Sequence, residues 1–406
     1  MQSESKDIPQ FERSVLPFDT VSVTGGTGTV GSQFVKVLLD QFPHLERVNT
    51  TCRSGSPRAC RLPRADRLNI VKGSINDIGV LRRMADEGEI VYHLAAWLAN
   101  TPLPTLTDVY ITNALATGVV AELCVRAEKK LIFTSSHSVY FAGEYAGRIR
   151  ADEFSFRDDF VEWIEAVNEP YGQLIDGIVD GTSGFDEARE AIEDIHRELP
   201  PPFEPKIYDN DSYHIYCLTK LMAERFVLDR SGIILRLANV YGPGDESPQA
   251  VGEACQRLLE AEPGDELEVR QPFKKLVPAH LGDIIKCFIR ASRLELPEPA
   301  SPLFTVASQE HYMREDALLR TVADALNEIR GTDHQYEIEE LPPEDEMAFT
   351  YDLTKMKTHL LHGEPLTPFS DGVKGQLNWL LAREEGTAAS ETAVVIDFAA
   401  DAEAGL

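Results

Sequence analysis

A tyrosine and a lysine, Tyr216 and Lys220, stand four residues apart in the segment YCLTK. Side chains at positions i and i+4 lie on the same face of an α-helix. A free tyrosine, with a pKa of about 10, is a poor base at neutral pH, but a neighbouring ammonium group stabilises its phenolate. The pair could therefore act as an acid/base on an alcohol proton while a hydride moves to or from a nicotinamide.

A glycine-rich loop, TGGTGTVG, occupies positions 24–31 between an apolar strand and an amphipathic helix. Its glycines allow a tight turn and close backbone approach, and the helix N-terminus offers N–H groups and a positive dipole end to a pyrophosphate. We therefore predict a dinucleotide cofactor here. The residues of the loop expected to contact it are Gly25, Thr27, Gly28, Thr29, Val30 and Gly31.

The end of the second predicted strand bears on the choice between NAD and NADP. A loop that prefers NAD usually places Asp or Glu there for the ribose hydroxyls. This chain has Arg53 and Ser54 instead, which suit a 2′-phosphate. Several other arginines follow nearby, so Arg53 could equally be one surface arginine among them. NADP is slightly favoured over NAD.

Short apolar runs alternate with helical patterns through the first half of the chain, as in βαβ units around a parallel sheet. We predict an α/β fold with a Rossmann-type doubly wound parallel sheet, a smaller C-terminal substrate lobe and a helical insertion. The predicted strands are Thr20–Thr24, Arg47–Cys52, Asn69–Lys72, Ile90–Leu94, Lys130–Ser135 and Ile233–Leu237.

The insertion, residues 144–211, holds nineteen acidic and six basic residues. It carries two apolar stripes at helical spacing, and Ser183 is the expected N-cap of the second helix. The predicted division of the chain is 15–143 for the first part of the Rossmann cofactor-binding core, 144–211 for the acidic helical insertion near the active site, 212–242 for the second part of the core, 243–383 for a mostly substrate-binding lobe, and 384–406 for a flexible acidic tail or peripheral arm.

Composition limits the partners of the chain. A net charge of −28 disfavours nucleic acid and acidic membranes, and no run of about 18 apolar residues predicts a membrane span. The six cysteines are scattered without CxxC spacing, so we expect reduced thiols, no metal site and a cytoplasmic location. The expected partner is a small-molecule substrate, and the chain could form a homodimer.

Several motifs in order resemble the extended short-chain dehydrogenase/reductase family, specifically its NAD-dependent epimerase/dehydratase group. They are TGGTGTVG (24–31), HLAA (93–96), Asn113, FTSSHSVY (133–140), YCLTK (216–220), RLANVYGPGD (236–245) and HLGD (280–283). The resemblance implies that Lys220 also holds the nicotinamide ribose and that Ser136 hydrogen-bonds the reacting oxygen. It implies further cofactor contacts from Ser74, Ile75, Leu94, Ala95 and Ala96, and a largely structural Asn113.

Three positions are candidates for substrate contact. His137 and Ser138 stand where sugar dehydratases of this family are expected to carry an acid pair, which disfavours a standard dehydratase. His137 could be a single acid/base or could pack beside the sheet. Asn239 resembles an asparagine near the substrate phosphate, or it could cap a turn. Lys275 is adjacent to Leu276, which stands where the resemblance leads us to expect an arginine for a diphosphate; Arg270 is another candidate cation.

Three functions remain open on the sequence alone. The first is an enzyme of the epimerase/dehydratase family that transfers hydride at a hydroxyl or keto carbon, possibly of a nucleotide sugar. The second is an NADP-dependent reductase of a non-sugar carbonyl in secondary metabolism, and the third is a non-catalytic dinucleotide sensor. Ser136 and Tyr216 lie eighty residues apart, and because the insertion emerges between them we hypothesise that it is a lid over the substrate cleft.

Overall fold

The computed structural model describes residues 15–99, 105–143, 147–202, 211–245, 250–270, 276–295, 301–341 and 349–386, together with Ile396 and Phe398. Its centre is a seven-stranded, entirely parallel sheet. The strands of this sheet are β1 (Thr20–Thr24), β2 (Arg47–Cys52), β3 (Leu68–Lys72), β4 (Ile90–His93), β5 (Lys130–Ser136), β7 (Ile233–Leu237) and β11 (Leu303–Val306). The predicted doubly wound Rossmann-type sheet is confirmed.

Helices connect and cover these strands. They are α1 (Thr29–Gln41), α2 (Ile78–Glu87), α3 (Leu106–Arg126), α4 (Asp158–Asp180), α5 (Phe185–Glu198), α6 (Asp211–Leu228), α7 (Ala250–Glu260), α8 (Leu281–Ala291), α9 (Glu315–Arg330), α10 (Thr354–His359) and α11 (Phe369–Glu384). Two 3₁₀ turns span Pro57–Arg61 and His137–Ala142, and α3 contains a π-helical stretch at Tyr110–Leu115. The chain order of strands and helices is the βαβ alternation that a parallel sheet requires.

The strand order places a crevice where the site residues can meet. Across the sheet the order is β3-β2-β1-β4-β5-β7-β11, so the connections reverse direction between β1 and β4. Ligands of open α/β sheets bind outside the carboxyl ends of the strands at such a switch point. The glycine loop follows β1, HLAA begins in β4 and Ser136 ends β5, so three predicted motifs share this edge.

The C-terminal part divides its residues between two cores. Helices α7, α9 and α11 enclose a small apolar core of their own, which contains Leu258, Leu319 and Leu377. Phe288 of α8 and Phe304 of β11 instead belong to the main core beside the sheet. The predicted lobe 243–383 is therefore too broad, because residues 281–306 return to the Rossmann core.

In the described part of the chain, short strand pairs also form outside the main sheet. Strand β8 (Asn239–Tyr241) pairs with β10 (Pro278–His280), and β9 (Glu266–Leu267) pairs with β12 (Glu337–Ile338). Strand β6 (Gly147–Ile149), at the start of the insertion, pairs with β13 (Phe349–Tyr351). The last of these pairs fixes the beginning of the insertion to the C-terminal half of the chain.

The two helices of the insertion lie on the outer side of α3 and α6 rather than over the carboxyl edge of the sheet. Ile175 of α4 contacts Gly118 of α3, and Tyr171 stacks on Phe226 of α6 with ring centroids 6.1 Å apart. Helix α5 begins after Gly184, which is the N-cap in place of the predicted Ser183. For the described residues, this placement differs from the predicted lid, because the apolar stripes bind helices and not the cleft.

Helix α3 is predominantly apolar. By length and composition it could cross a membrane, but 78% of its apolar window is buried in the fold. One side faces the sheet and the other faces α4, so two partners inside the chain account for its apolar character.

The C-terminal tail is not entirely free, in contrast to the predicted flexible tail at 384–406. Helix α11 extends to Glu384, and Ile396 and Phe398 are buried in the main core. The ring of Phe398 lies 5.7 Å from that of Phe42 at the end of α1. At these two positions the tail is a docked peripheral arm.

Candidate active site

The glycine loop forms a backbone cradle at the start of α1. Gly25 has φ +77°, and a Cβ there would lie 2.8 Å from the amide nitrogen of Ala95. A Cβ at Gly31 would overlap the carbonyl oxygen of Gly25, so both positions require glycine. Gly28 is the N-cap of α1 and has no side chain to cover the first amides of the helix. This cradle fits the pyrophosphate of a dinucleotide.

The loop after β4 is tied to the glycine loop by one threonine. Thr24 Oγ1 accepts hydrogen bonds from the amides of Leu94 and Ala95, each at 3.2 Å. Thr24 Oγ1 also lies 2.8 Å from His93 Nδ1, whose Nε2 is 3.0 Å from Thr117 Oγ1. Burial, with a contribution from Lys220, lowers the pKa of His93 to about 3, so this histidine is a neutral structural link between β1, β4 and α3.

The residues predicted to face the adenosine half lie at the ends of β2 and β3. Arg53 and Ser54 are exposed directly after β2. Thr51 Oγ1 accepts a hydrogen bond of 2.9 Å from the Gly25 amide, which fixes β2 to the glycine loop. Ser74 Oγ caps a turn by accepting a hydrogen bond from the Asn76 amide at 3.1 Å. Arg53 therefore reaches solvent beside the cradle, where a 2′-phosphate would need a cation.

The predicted catalytic residues come together at the carboxyl end of β5. Helix α6 carries Tyr216 and Lys220 on one face, and Tyr216 interacts with Ser136. Lys220 Nζ donates to the Thr134 carbonyl at 2.9 Å and lies 5.9 Å from the centre of the Tyr216 ring. Ser136 Oγ also accepts a hydrogen bond from the Ser138 amide at 3.1 Å. The three groups thus form one buried cluster.

Burial governs the protonation of this cluster. Burial raises the pKa of Tyr216 to about 12, although the polar Ser136 side chain acts in the opposite direction. Burial lowers the pKa of Lys220 to about 7, and the nearby Glu224 carboxylate partly opposes that shift. The lysine does not lower the pKa of the tyrosine in this structure, because its own charge is disfavoured by the same desolvation. At neutral pH Tyr216 is a protonated phenol.

His137 points to a partner far away in the sequence. Its Nδ1 lies 2.7 Å from the Tyr351 hydroxyl of β13, and the two rings are perpendicular at a centroid distance of 6.0 Å. Burial lowers the pKa of His137 to about 4. The neutral, buried state favours the packing interpretation over a titrating acid/base. No local pattern in the sequence predicts Tyr351 at this position.

Two asparagines of the family pattern make structural hydrogen bonds. Asn113, within the π-helical stretch of α3, binds both backbone groups of Trp97 and donates to Thr219 Oγ1 of α6 at 3.2 Å. Asn239 Oδ1 accepts from the Val277 amide at 3.1 Å, which joins β8 to β10. The sequence left Asn239 open between substrate contact and a local cap, and the observed bond gives it a structural partner.

Among the described residues, the arginines near Leu276 that could face a substrate diphosphate are each paired with a glutamate. Lys275 lies outside the described residues, and Leu276 is buried. The guanidinium of Arg270 is 2.9 Å from the Glu253 carboxylate, and that of Arg257 is 3.0 Å from Glu315. Arg257 and Glu315 line the same small cavity as Leu276.

A buried ion pair behind the catalytic cluster escaped the sequence analysis. Glu224 Oε1 accepts from Ser135 Oγ at 2.6 Å and from Arg236 Nε at 2.9 Å, and Oε2 accepts from Arg236 at 2.7 Å. Arg236 also donates to the Ala151 carbonyl at 3.1 Å. Because Glu224 follows Lys220 by four residues on the same helix face, the spacing could have indicated it.

Within the described ranges no group of three or more His, Cys, Asp or Glu side chains is placed to hold a metal ion. The described cysteines are all free thiols, and Cys60 is the exposed one among them.

Known proteins resemble this chain in sequence and in fold. The NAD dependent epimerase/dehydratase family model matches residues 21–171. A 3 beta-hydroxysteroid dehydrogenase/Delta 5-->4-isomerase of Mycobacterium tuberculosis is 23% identical over 296 residues, which cover 70% of this chain and 62% of that protein. A UDP-glucose 4-epimerase of Neisseria gonorrhoeae is 33% identical over 127 residues, 30% of this chain and 38% of that protein.

Solved structures extend the likeness of fold to most of the chain. The UDP-glucuronic acid 4-epimerase from Bacillus cereus in complex with NAD superposes with TM-score 0.62 at 17% identity, covering 92% of this chain and 99% of that one. The UDP-glucose 4-epimerase of Thermotoga maritima with UDP-glucose gives 0.59 at 19% identity, covering 90% and 99%. Residues 21–171 thus match the NAD dependent epimerase/dehydratase family model, and the likeness to the solved structures is one of fold.

Proposed function

We propose that this chain is an NAD(P)-dependent enzyme that transfers a hydride at a hydroxyl or keto carbon, with Tyr216 as the acid/base. The observation that carries the proposal is the buried cluster of Ser136, Tyr216 and Lys220 at the carboxyl end of β5, beside the glycine cradle. A bound nicotinamide would supply or accept the hydride. The chain's own residues would hold the substrate oxygen between the Ser136 hydroxyl and the Tyr216 phenol.

The protonation state of Tyr216 supports the reducing direction. A phenol with a pKa of about 12 is protonated at neutral pH and can donate to a carbonyl oxygen that becomes an alcohol. The overall change would be a ketone, a proton and a reduced nicotinamide giving a secondary alcohol and an oxidised nicotinamide. A Lys220 amine with a pKa of about 7 lies one helical turn away and could return a proton to the tyrosine.

We propose NADP as the preferred cofactor, supported by exposed Arg53 and Ser54 beside the cradle and by the lack of an acidic residue at the end of β2. The family model that matches residues 21–171 is described as NAD dependent, so NAD is the alternative. Arg53→Glu should weaken NADPH binding by about tenfold or more while changing NADH binding little. Calorimetry with both nucleotides measures this, and equal losses for the two would refute the assignment.

Two substrate classes are supported by different observations. The nucleotide sugars named for the Neisseria and Thermotoga proteins support a 4-epimerase. The hydroxysteroid dehydrogenase activity named for the Mycobacterium protein supports a dehydrogenase or reductase of a non-sugar carbonyl. Buried Leu276 and the largely buried pair of Arg257 and Glu315 favour the second class, because a diphosphate needs accessible cations.

The experiment that tests the function is the variant Tyr216→Phe in a broad panel of ketones, alcohols and nucleotide sugars. Turnover should fall by about a hundredfold or more, in keeping with the contribution of a general acid, while cofactor affinity changes little. Full activity of the variant would falsify the assignment of Tyr216. Binding of dinucleotide without turnover of any compound by the wild type would favour a sensor.

The remaining expectations concern location and assembly. We propose a cytoplasmic enzyme with a small-molecule substrate, supported by free and mostly buried thiols, which suit a reducing compartment. We also propose that the chain forms a homodimer. Light scattering across a range of protein concentrations decides between a monomer and a dimer.

A further inference from the structure

Four aromatic side chains meet where the insertion lies against α3. They are Tyr110 of α3, Trp163 and Tyr171 of α4, and His196 of α5, and we call them the outer aromatic cluster. The ring centroid of His196 lies 4.2 Å from that of Tyr110 and 5.7 Å from that of Trp163. The Tyr171 hydroxyl lies 3.0 Å from His196 Nε2. His196 thus contacts the other three members and joins both insertion helices to α3.

His196 serves this cluster as a packing ring and not as a charge. Burial lowers the pKa of His196 to about 4, so the imidazole is neutral at neutral pH. Its ring meets the Tyr110 ring edge-on at an interplanar angle of 68°, a geometry that stabilises aromatic pairs beyond the burial of their surface. A phenyl ring at position 196 would keep this contact, although it would lose the hydrogen bond with Tyr171.

Polar contacts hold α5 to the same end of α3. The guanidinium of Arg189 lies 2.5 Å from the Asp108 carboxylate, and the Thr107 hydroxyl donates to Glu193 at 3.3 Å. The side chains of Arg189 and Asp108 are 39% and 27% exposed, and ion pairs so open to water contribute little. The buried rings of the outer aromatic cluster therefore carry most of this attachment.

Tyr110 begins the π-helical stretch of α3, which also contains Asn113. Such stretches are rare and occur mostly as single turns inside α-helices, frequently at functional sites. Tyr110 packs outward on the insertion, whereas Asn113 binds the loop after β4. Asn113 Oδ1 accepts from the Trp97 amide at 2.8 Å, and Asn113 Nδ2 donates to the Trp97 carbonyl at 3.1 Å. One π-helical turn thus joins the insertion to a loop at the carboxyl edge of the sheet.

The same asparagine reaches the catalytic helix. Asn113 Nδ2 donates to Thr219 Oγ1 at 3.2 Å, and this contact is buried. Thr219 stands on α6 between Tyr216 and Lys220. Only three positions on α3 therefore separate the ring that packs on the insertion from the amide that holds the helix of the catalytic cluster.

We propose that the insertion is a brace for the catalytic helix, and that His196 is a positioning residue that acts through Tyr110 and Asn113. Packing on the outer side of α3 holds the π-helical turn in the form in which Asn113 reaches both of its partners. Relaxation of that turn to the i→i+4 pattern would rotate Asn113 about the helix axis and away from them. The effect on turnover rests on the proposed function, whereas the effect on the structure does not.

Hydrogen exchange, followed by mass spectrometry, measures the brace directly. The Trp97 amide reports on it, because its acceptor is Asn113. Loss of one hydrogen bond of ordinary strength corresponds to about a tenfold change. In His196→Ala we therefore expect the Trp97 amide to exchange about tenfold faster than in the wild type, while the amides of β1 keep their rates. His196→Phe should restore slow exchange at Trp97.

Turnover measures the consequence for catalysis. The substrate is the compound that the wild type converts fastest in the panel of ketones, alcohols and nucleotide sugars. We expect kcat of His196→Ala to fall about tenfold with KM changed less than about twofold, because the brace holds the catalytic helix and does not touch the substrate. His196→Phe should recover most of kcat. His196→Leu keeps apolar volume without a flat ring, and it is a milder second test with the same expected direction.

Ile175→Ala is the matched control. Ile175 is fully buried on the same outer face of α3, but it contacts Gly118, which lies beyond the π-helical stretch. This variant also loosens the insertion, yet Trp97 exchange and kcat should stay close to the wild type. Equal changes in Ile175→Ala and His196→Ala would overturn the inference, because they would indicate general loosening. Unchanged Trp97 exchange in His196→Ala would overturn it as well.

Failure of the inference and failure of the proposed function give different results. If the wild type converts no compound, the proposed function fails, and Trp97 exchange in His196→Ala and Ile175→Ala still decides whether the brace exists. If turnover depends on Tyr216 but kcat of His196→Ala equals that of the wild type, only the brace is refuted.

Discussion

The buried pair of Glu224 and Arg236 should be a principal determinant of stability near the catalytic cluster. Their side chains are only 4% and 2% exposed, and Glu224 accepts three hydrogen bonds, two of them from Arg236. In Arg236→Met, Glu224 keeps only the bond from Ser135, and the Ala151 carbonyl loses its donor. Removal of one partner from a buried pair costs about 3–5 kcal/mol, because the other charge stays buried without compensation.

Equilibrium unfolding in urea measures this cost. We expect Arg236→Met to lower the free energy of unfolding by about 3–5 kcal/mol, and the double variant Glu224→Gln with Arg236→Met to be more stable than Arg236→Met alone. The recovery arises because the isosteric amide carries no charge. A loss below about 1 kcal/mol in Arg236→Met, or strictly additive effects of the two substitutions, would refute the reasoning. Ser135 precedes Ser136, so turnover should fall as well in the single variant.

Three further predictions follow from the geometry. Gly31→Ala should abolish dinucleotide binding in calorimetry, because its Cβ overlaps the glycine loop. Gly172→Ala in α4, where a Cβ meets nothing within 4 Å, should instead stabilise the fold by about 0.5–1 kcal/mol. Equal cofactor affinity in both variants would contradict the cradle. Lys220 has a pKa of about 7 in the folded chain against 10.5 for the free side chain, so the unfolded chain binds more protons between these pH values and the free energy of unfolding should rise with pH there by a few kcal/mol. Unfolding of cofactor-free protein at several pH values measures this slope, which should vanish in Lys220→Met. A slope that persists in the variant would argue against a lowered pKa of Lys220. Trp163→Ala, in the insertion, should lower the free energy of unfolding by about 3–5 kcal/mol, since the indole is 7% exposed. The KM of the soluble fraction should stay unchanged. A raised KM would support the hypothesis that the insertion is a lid over the substrate cleft.

The sequence predicted the main sheet well because its signals are local. Apolar runs of four to seven residues with helices between them correspond to six of the seven strands, with ends that differ by at most one residue. Strand β11 was missed because LFTV is a four-residue apolar run, too short to distinguish a strand from any other buried segment. The glycine loop was recognised for the same local reason, since strand, turn and helix follow each other without interruption.

Long-range contacts were beyond the reach of local patterns. Tyr351 lies 214 residues from His137, and no spacing rule joins a strand in the last part of the chain to the residue after Ser136. The pKa of Tyr216 shows a different limit. The i, i+4 spacing correctly places Lys220 near the tyrosine, but the direction of the shift depends on burial, which desolvates both groups and raises the phenol pKa.

The insertion covers the outer face of α3. This has a consequence for when the apolar surface of that helix is shielded from solvent during synthesis. Residues 106–126 leave the ribosome as an apolar helix, while Ile175 and Tyr171, which cover its outer face, are translated about fifty residues later. Until then the helix presents an apolar surface on two sides, the form of nascent chain that aggregates or recruits chaperones. Because α4 then docks on α3 through contacts close in sequence, it removes that surface well before β7 and β11 complete the sheet.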